Sequence, residues 1–528
     1  MKGTQLIGNS ESAEGKNTFK AVNPVDGKSL EPSFHEATDL EIDSAFELAA
    51  SAAPFMAAST GKDRSRLLNA IADALEEDAD LIKTRGGLET GYPQARLDGE
   101  FGRTVMQLRV FGRVSEDGNW VNARIDTALP DREPLPKPDL RRMLVPVGPV
   151  VIFGASNFPL AISVAGGDPA SALAAGCPVV TKGHPSHPGS SELVARAVLR
   201  GVGKAGFPEG TFSMLQGAEN DTGRLLVEHP KAGAVAFTGS LRGGRALFDI
   251  AAARPTPIPV YAEMGSVNPQ FVFPGMLDAD PKAFADGLFA SVTMGNGQFC
   301  TCPSLVFVPE GESLNTMIGH YHELVSGSSG APLLNAGIAA CFESGIARWQ
   351  DIEGVEIIAR GALEAGEGGA APVMAKISLD DFEASREMFM EEIFGPSVLV
   401  VVCPDKESYL DAAGLFEGQL GTSIHGNEED LSGAGELIAA LSCFSGRVCV
   451  NGFPTGIEVC DSVHHGGPYP ATTDAQHTSI GTAGISRWGR PVSFQNTPQP
   501  LLPEALKDTN PLGLLRLVDG SWTRDPVR

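Results

Sequence analysis

Positive charge is scarce in this chain. Its 528 residues carry 40 lysines and arginines against 65 aspartates and glutamates, a formal net charge of −25. That balance favours solubility and argues against nucleic acid as a partner, which would need basic patches. It also repels an anionic substrate at long range, so a site for one must supply its own local cation. Long apolar runs are missing too. No stretch approaches the ~18 to 20 uninterrupted apolar residues of a membrane span, and 1–20 is polar, without the apolar core of a secretory signal. Eight cysteines form no paired framework, which suits a reducing compartment and sets the expectation of a cytoplasmic protein. Cys300 and Cys302 lie close together, but neither a histidine nor a second cysteine pair follows at ligand spacing, so no metal is expected.

What is present suits two or three globular domains with ample buried area. Alanine, leucine and charged residues at helical spacing predict helices over 39–58, 63–81 (capped by Asp63) and 97–111. The first twenty residues are expected to be a loosely held arm. The proline- and charge-rich segment 129–138 reads as a connection or edge element. A strand over 145–153 leads through Gly154-Ala155-Ser156-Asn157-Phe158-Pro159 into an alanine-rich helix ending near Gly176, with Pro159 in its first turn. Strands over 178–182, 211–215 and 234–238 then alternate with helices over 190–202 and 221–228. This alternation predicts an α/β fold with a parallel sheet covered by helices. Further buried strands at 269–273, 305–308 and 396–402 mark a second region. From His464 onward, proline, glycine and threonine predict extended arms.

Four segments carry chemistry. Gly295-Asn296-Gly297-Gln298-Phe299-Cys300-Thr301 offers a thiol, Tyr261-Ala262-Glu263-Met264-Gly265 a carboxylate with largely apolar flanks, Ala155-Ser156-Asn157-Phe158-Pro159 an amide at a strand end, and Glu391-Glu392-Ile393-Phe394-Gly395-Pro396 a second carboxylate. A thiolate is a strong nucleophile and later a good leaving group, which suits a reaction that passes through a thioester. A partly buried carboxylate makes a better base near neutral pH. An amide can donate to an alkoxide. Each residue alone is commonplace: a cysteine is more often a buried structural thiol, and an asparagine at such a turn usually only caps a helix.

Together, in this order and context, the four segments resemble the aldehyde dehydrogenase superfamily, from about Asp39 to Pro500. The resemblance implies Cys300 as nucleophile, Glu263 as general base for thioester hydrolysis and Asn157 as oxyanion donor, with the Cys300 backbone N–H as second donor. It implies a Rossmann-like cofactor domain (1–128 and 143–262), a catalytic α/β domain (263–470), and a small β oligomerisation element with a C-terminal arm (129–142 and 471–528), in a homodimer or homotetramer. Phe237-Thr238-Gly239-Ser240 with Gly244 resembles the family's pyrophosphate turn, where Gly239, Ser240 and Gly244 let a backbone approach phosphate at a helix N-terminus. Glu392 and Phe394 resemble the residues that grip the nicotinamide ribose and flank its ring, and Lys182 the lysine at the adenosine ribose. NAD-preferring members often carry a glutamate three residues later, where this chain has Pro185. Without that carboxylate, and with Lys182 and His184 nearby, NADP is the expected cofactor, with NAD as an accepted alternative. The family's Glu-Leu-Gly-Gly-Lys departs here after Gly265 to Ser266 and Val267, and its usual C-terminal ending is replaced by Gly467-Pro468-Tyr469-Pro470-Ala471-Thr472-Thr473.

Passages around Asn157 to Asp168, Phe237 to Arg245 and Gly467 to Thr473 are similar to a bacterial subgroup that oxidises 2-oxoglutarate semialdehyde (2,5-dioxopentanoate). NADP-linked long-chain aldehyde dehydrogenases share much of the pattern. A dioxo acid carries a carboxylate at the end remote from its aldehyde, so its site should offer a guanidinium that grips with two hydrogen bonds. Arg103 is the candidate, with Gln107 one turn on along the same helix face and Phe158 beside Asn157. An arginine paired with Glu100 or simply solvated would be as ordinary. A fatty-aldehyde enzyme should have an apolar channel in the same place. A non-catalytic structural protein with this fold would need none of Cys300, Glu263, Asn157 and Glu392.

Overall fold

The computed structural model describes residues 1–363 and 368–527; the ranges expected for the catalytic domain and C-terminal arm include the few residues outside these. Two seven-stranded sheets carry the chain. The first runs, in spatial order, Val260–Glu263, Ala234–Thr238, Val150–Phe153, Val179–Lys182, Phe212–Leu215, Gln5–Ile7 and Ser10–Ser12. Its first five strands are mutually parallel and joined through helices. Val150, Val151, Val179 and Val180 are all fully buried, as befits a sheet covered on both faces. One face packs on Leu68, Ile71, Val194 and Val198, the other on Phe46, Leu226 and Val227.

The second sheet runs Glu356–Arg360, Val373–Ser378, Ser397–Cys403, Leu305–Pro309, Gln270–Val272, Thr422–His425 and Val448–Val450. Only Glu356–Arg360 is antiparallel to its neighbour. Phe271, Phe307, Phe342 and Tyr409 fill one of its faces. The chain passes from the edge strand of the first sheet, ending at Glu263, almost directly into Gln270–Val272, an inner strand of the second. The junction of the two sheets is therefore where the carboxylate sits.

Several local expectations change. The N-terminus is no loose arm: Gln5–Ile7 pairs antiparallel with Phe212–Leu215, and Glu192 accepts the backbone N–H groups of Lys2 and Gly3 at 2.8 and 2.9 Å. Leu6 and Ile7 thereby bury apolar surface and cover a sheet edge that would otherwise be open. The second helix is Gly61–Glu77, capped by Thr60; Asp63 completes the capping box from the third helical position. A separate helix, Ala79–Thr90, follows it. The strand expected over 145–153 is two strands, because Gly148, at φ 106°, and its flanking prolines turn the chain between Leu140–Pro146 and Val150–Phe153. The alanine-rich helix starts only at Gly167, so Pro159 lies in an irregular turn and not in a helix.

Leu140–Pro146 joins a five-stranded sheet with Arg124–Asp126, Gly489–Gln495, Arg516–Val518 and Ser521–Thr523. Of the 129–142 element expected from sequence, only the end enters this sheet, and Leu129 bridges Lys137. Residues 471–488 belong to the body of the protein: Trp488 is fully buried in the first core and Arg487 pairs with Asp168 at 2.5 Å. Among the described residues no helix is long and apolar enough to cross a membrane.

Candidate active site

The loop that carries Cys300 is held by a turn that few sequences could form. Helix Pro281–Thr293 ends in a turn in which Gly295, Asn296 and Gly297 all have positive φ, between 54 and 70°. A Cβ on Gly297 would fall within the Gly395 carbonyl carbon, so glycine is required for the loop to lie against the Glu391–Pro396 segment. From beneath, Asn268 donates through Nδ2 to the carbonyls of Cys300 and Cys302, each at 2.9 Å. The Cys300 thiol emerges partly exposed, while Cys302 is buried with its pKa pushed up to about 12 by desolvation. Cys302 is a packed thiol.

Glu263 and Cys300 are brought together, and a histidine lies between them. His465 Nε2 stands 2.8 Å from Glu263 Oε1 and 3.5 Å from Cys300 Sγ. Ser479 Oγ donates to the other oxygen, Glu263 Oε2, at 2.6 Å. Glu263 is buried, which alone would raise its pKa, but the His465 and Ser479 contacts outweigh that and hold it below the usual carboxylate range. Burial and the adjacent Glu263 carboxylate drive the Cys300 thiol well above its ordinary value. The resting pair is thus a thiol beside a carboxylate, and the thiol's proton has an acceptor within reach.

The segment that departs from the family's ending delivers His465. Thr472 pairs with Glu263 as an isolated bridge, Met264 N–H donates to Ala471 O at 2.8 Å, and Thr473 N–H donates to Ala262 O at 3.1 Å. The stretch after His465 is therefore stitched along the very strand that carries Glu263. Ser266 Oγ donates to Gln419 Oε1 at 2.9 Å and Val267 is buried in the second core, so these departures also serve the local packing.

Asn157 lies in the turn after Val150–Phe153. Its Nδ2 donates to Gln298 O, two residues before Cys300, at 2.9 Å. Its own carbonyl accepts from Tyr92 Oη at 3.1 Å and Arg96 Nη2 at 2.9 Å. The Arg96 guanidinium is stacked among Tyr92, Phe158 and Phe299, 4.4 to 4.9 Å from their ring centres. Arg96 thus ties the Asn157 turn to the loop that carries Cys300. Phe158, expected against substrate, is an edge of this cage, packed at right angles to Phe299.

Helix Gln94–Asp117 supplies this support from one face. Glu100 pairs with Arg96 at 3.1 Å and accepts from Leu160 N, while Gln107 Nε2 donates to Ala161 O at 3.1 Å. Gln107 is 2% exposed, so it braces the turn. Arg103 differs. Because Glu100 is taken by Arg96, Arg103 Nε and Nη2 are buried without a hydrogen-bond partner in the protein. Burial lowers its pKa, opposed by the charges of Glu100, Cys300, Glu458 and Glu263. An unpaired guanidinium in electrostatic reach of Cys300 is costly unless a ligand satisfies it.

At the C-terminal end of the first sheet, Gly239 and Ser240 are exposed and Ser240 caps helix Leu241–Ala253 by accepting from Gly243 N–H. The helix N-terminus therefore opens outward with free amides, suited to a pyrophosphate. Gly244 is needed because a Cβ would come 2.7 Å from Met264. Lys182 ends its strand with Nζ on the Gly217 carbonyl; burial lowers its pKa to about 8, with Glu36 nearby opposing. His184 accepts at Nδ1 from Ser186 N–H at 3.1 Å, and burial, His187 and Lys182 hold it neutral. Glu392 reaches over Gly265, and burial together with the Glu263 charge raises it to about 8. A buried carboxyl of this kind fits a ligand that donates two hydroxyls to it. Phe394 is partly exposed on the same segment.

Residues 11–468 match the model of the aldehyde dehydrogenase family. The chain belongs to the aldehyde dehydrogenase family. It is 44% identical over 521 residues to alpha-ketoglutaric semialdehyde dehydrogenase 2 of Azospirillum brasilense, covering 98% of this chain and 99% of that relative. It is 41% identical over 523 residues to the alpha-ketoglutaric semialdehyde dehydrogenase of Acinetobacter baylyi, covering 99% of each. Among solved structures it resembles PnpE in complex with nicotinamide adenine dinucleotide, with a TM-score of 0.79 at 22% identity over 94% of this chain and 97% of that one. The fold class expected from sequence is thereby shown, and the protein is an aldehyde dehydrogenase. Sequence reasoning missed His465 and Arg96. The histidine pair His464-His465 ahead of the replaced ending was a signal for the first; nothing local to Arg96 marked its cage.

Proposed function

We propose that this aldehyde dehydrogenase oxidises 2,5-dioxopentanoate to 2-oxoglutarate, with NADP preferred and NAD accepted. The names of the two relatives support the substrate. The observation that carries it is Arg103, whose two buried, unpartnered N–H groups suit a carboxylate that arrives with the substrate. A fatty aldehyde would leave them unsatisfied.

In the reaction, the Cys300 thiol gives up its proton to solvent, while Glu263 stays a carboxylate held by His465 and Ser479. The thiolate adds to the aldehyde carbon. Asn157 Nδ2 has two hydrogens; one is held by Gln298 O, and the other is free for the alkoxide, a donor worth ~3 kcal/mol of transition-state stabilisation. A bound nicotinamide supplies the hydride acceptor, and departure of hydride leaves a thioester on Cys300. Lys182, His184, Gly239, Ser240, Gly244, Glu392 and Phe394 would hold the dinucleotide. Glu263, positioned by Ser479, then takes a proton from water as it attacks the thioester. Pro185 supports NADP, because no carboxylate stands there to repel a 2′-phosphate.

The small five-stranded sheet, with Leu129 and Leu135 exposed beside it, serves as the contact between copies in a homodimer or homotetramer, and the eight unpaired cysteines fit the cytoplasm. A steady-state panel of semialdehydes and fatty aldehydes with each cofactor tests the reading. The highest kcat/KM is expected for 2,5-dioxopentanoate with NADP. A maximum at long-chain aldehydes refutes the substrate, and a strong preference for NAD refutes the cofactor.

A further inference from the structure

Cys300, His465 and Glu263 each offer a ligand atom within 4.8 Å of the other two, and they are the one such group of metal-ligating side chains among the described residues. We infer that these three atoms form a binding site for a thiophilic divalent cation, Zn2+ in the first place, which reversibly inhibits the enzyme. The sulfur–nitrogen distance supports it. Ligands at about 2.3 Å (sulfur) and about 2.0 to 2.1 Å (nitrogen) around a tetrahedral zinc stand roughly 3.5 Å apart. Sγ and Nε2 are 3.5 Å apart here. Glu263 Oε1, at 2.8 Å from Nε2, needs only a small rotation away to complete three ligands.

The site is preorganised. His465 and Glu263 are each 2 to 3% exposed, and Ser479 fixes the remaining carboxylate oxygen from outside the ligand set. Cys300 is the one of the three that is partly exposed. Thiolate with imidazole selects zinc over magnesium or calcium, which prefer all-oxygen ligands. The ligands come from three segments far apart in the chain, so no spacing motif marks them, and Cys302 takes no part.

Binding breaks the Cys300 S–H bond and the hydrogen bond between Nε2 and Oε1. Bonds form from zinc to Sγ, Nε2 and Oε1. The thiol proton leaves to solvent, and any proton on Nε2 moves to Nδ1 or to solvent; nothing is oxidised or reduced. Affinity should therefore rise about tenfold per pH unit while the free protein keeps its thiol protonated. Zinc should compete with aldehyde, and a chelator should restore activity.

The test needs no turnover and so stands apart from the identity of the substrate. Co2+ titrated into the full-length protein without cofactor should give one thiolate-to-cobalt charge-transfer band per protomer, and zinc should displace it. Cys300→Ser should abolish the band, and His465→Gln should weaken zinc about 100-fold. X-ray absorption of the zinc-loaded wild-type protein should show one sulfur at about 2.3 Å with nitrogen and oxygen neighbours, which keeps the test valid if a variant misfolds. A band that survives in Cys300→Ser, zinc affinity unchanged in His465→Gln, or an all-oxygen or multi-sulfur shell would overturn the inference.

Discussion

Arg103→Met should separate two roles that one residue plays. In the free protein, Nε and Nη2 of Arg103 are buried without partners, and an unsatisfied buried donor costs ~1 to 3 kcal/mol. Replacing the guanidinium with an apolar chain of similar length removes that cost, so apparent Tm should rise or hold, and resistance to urea should increase. Substrate binding changes in the opposite direction. A charge-assisted hydrogen bond to a carboxylate contributes roughly 1.5 to 3 kcal/mol, which is about 10- to 150-fold in kcat/KM. That loss should fall on 2,5-dioxopentanoate alone. An uncharged aldehyde of similar length makes no ion pair and should change by less than about threefold. Arg103→Lys keeps the charge but not the fork and should lie between. The assay is steady-state kcat/KM for the acid and the uncharged aldehyde side by side, with thermal and urea unfolding of each variant. Equal losses on both aldehydes would mean that Arg103 acts through the shape of the site, and the carboxylate argument would be refuted.

The other predictions concern cofactor, positioning and loop. Glu392, raised to about 8 by burial, is largely protonated at pH 7, whereas in the proposed cofactor site two ribose hydroxyls would need it as an acceptor. Dinucleotide affinity should therefore increase as pH rises through 8, with proton release on binding below that pH; calorimetry in buffers of different ionisation enthalpy measures it, and no release at pH 7 would contradict the assignment. Arg96→Met should lower kcat by about 10-fold or more, with less effect on KM, because the Asn157 carbonyl and the Phe299 ring lose a common partner. Gly297→Ala should give little folded protein in an expression and solubility assay, since its φ is 70° and the new Cβ would overlap Gly395.

Much of this was legible in residues. The alternation of apolar strands with amphipathic helices between Val150 and Glu263 marks a parallel sheet, since burial on both faces leaves strands few polar positions. Cys300, Glu263 and Asn157 stand out because their neighbours match a family pattern. The errors arose where partners are remote in the chain. Gln5–Ile7 reads as a loose tail until Phe212–Leu215 is beside it, and Thr60 is overlooked because Asp63 is also a good capping residue. His465 is an ordinary histidine in a glycine-rich stretch until the bridge between Thr472 and Glu263 draws it against the thiol. Gln107, expected against substrate, turns inward because Ala161 offers a buried carbonyl that needs a donor.

In the proposed mechanism Cys300 carries the carbon and Glu263 releases it. Glu263→Gln removes the base and also the charge that keeps the thiol protonated, so acylation should proceed and hydrolysis should stall. The direct measurement is rapid mixing of this variant with 2,5-dioxopentanoate and NADP, recording 340 nm absorbance and quenching in acid for peptide mass mapping. A single burst of about one reduced cofactor per protomer is expected, with an equal amount of acyl group on Cys300. Steady turnover without a burst, or an acyl group on any other side chain, would contradict it.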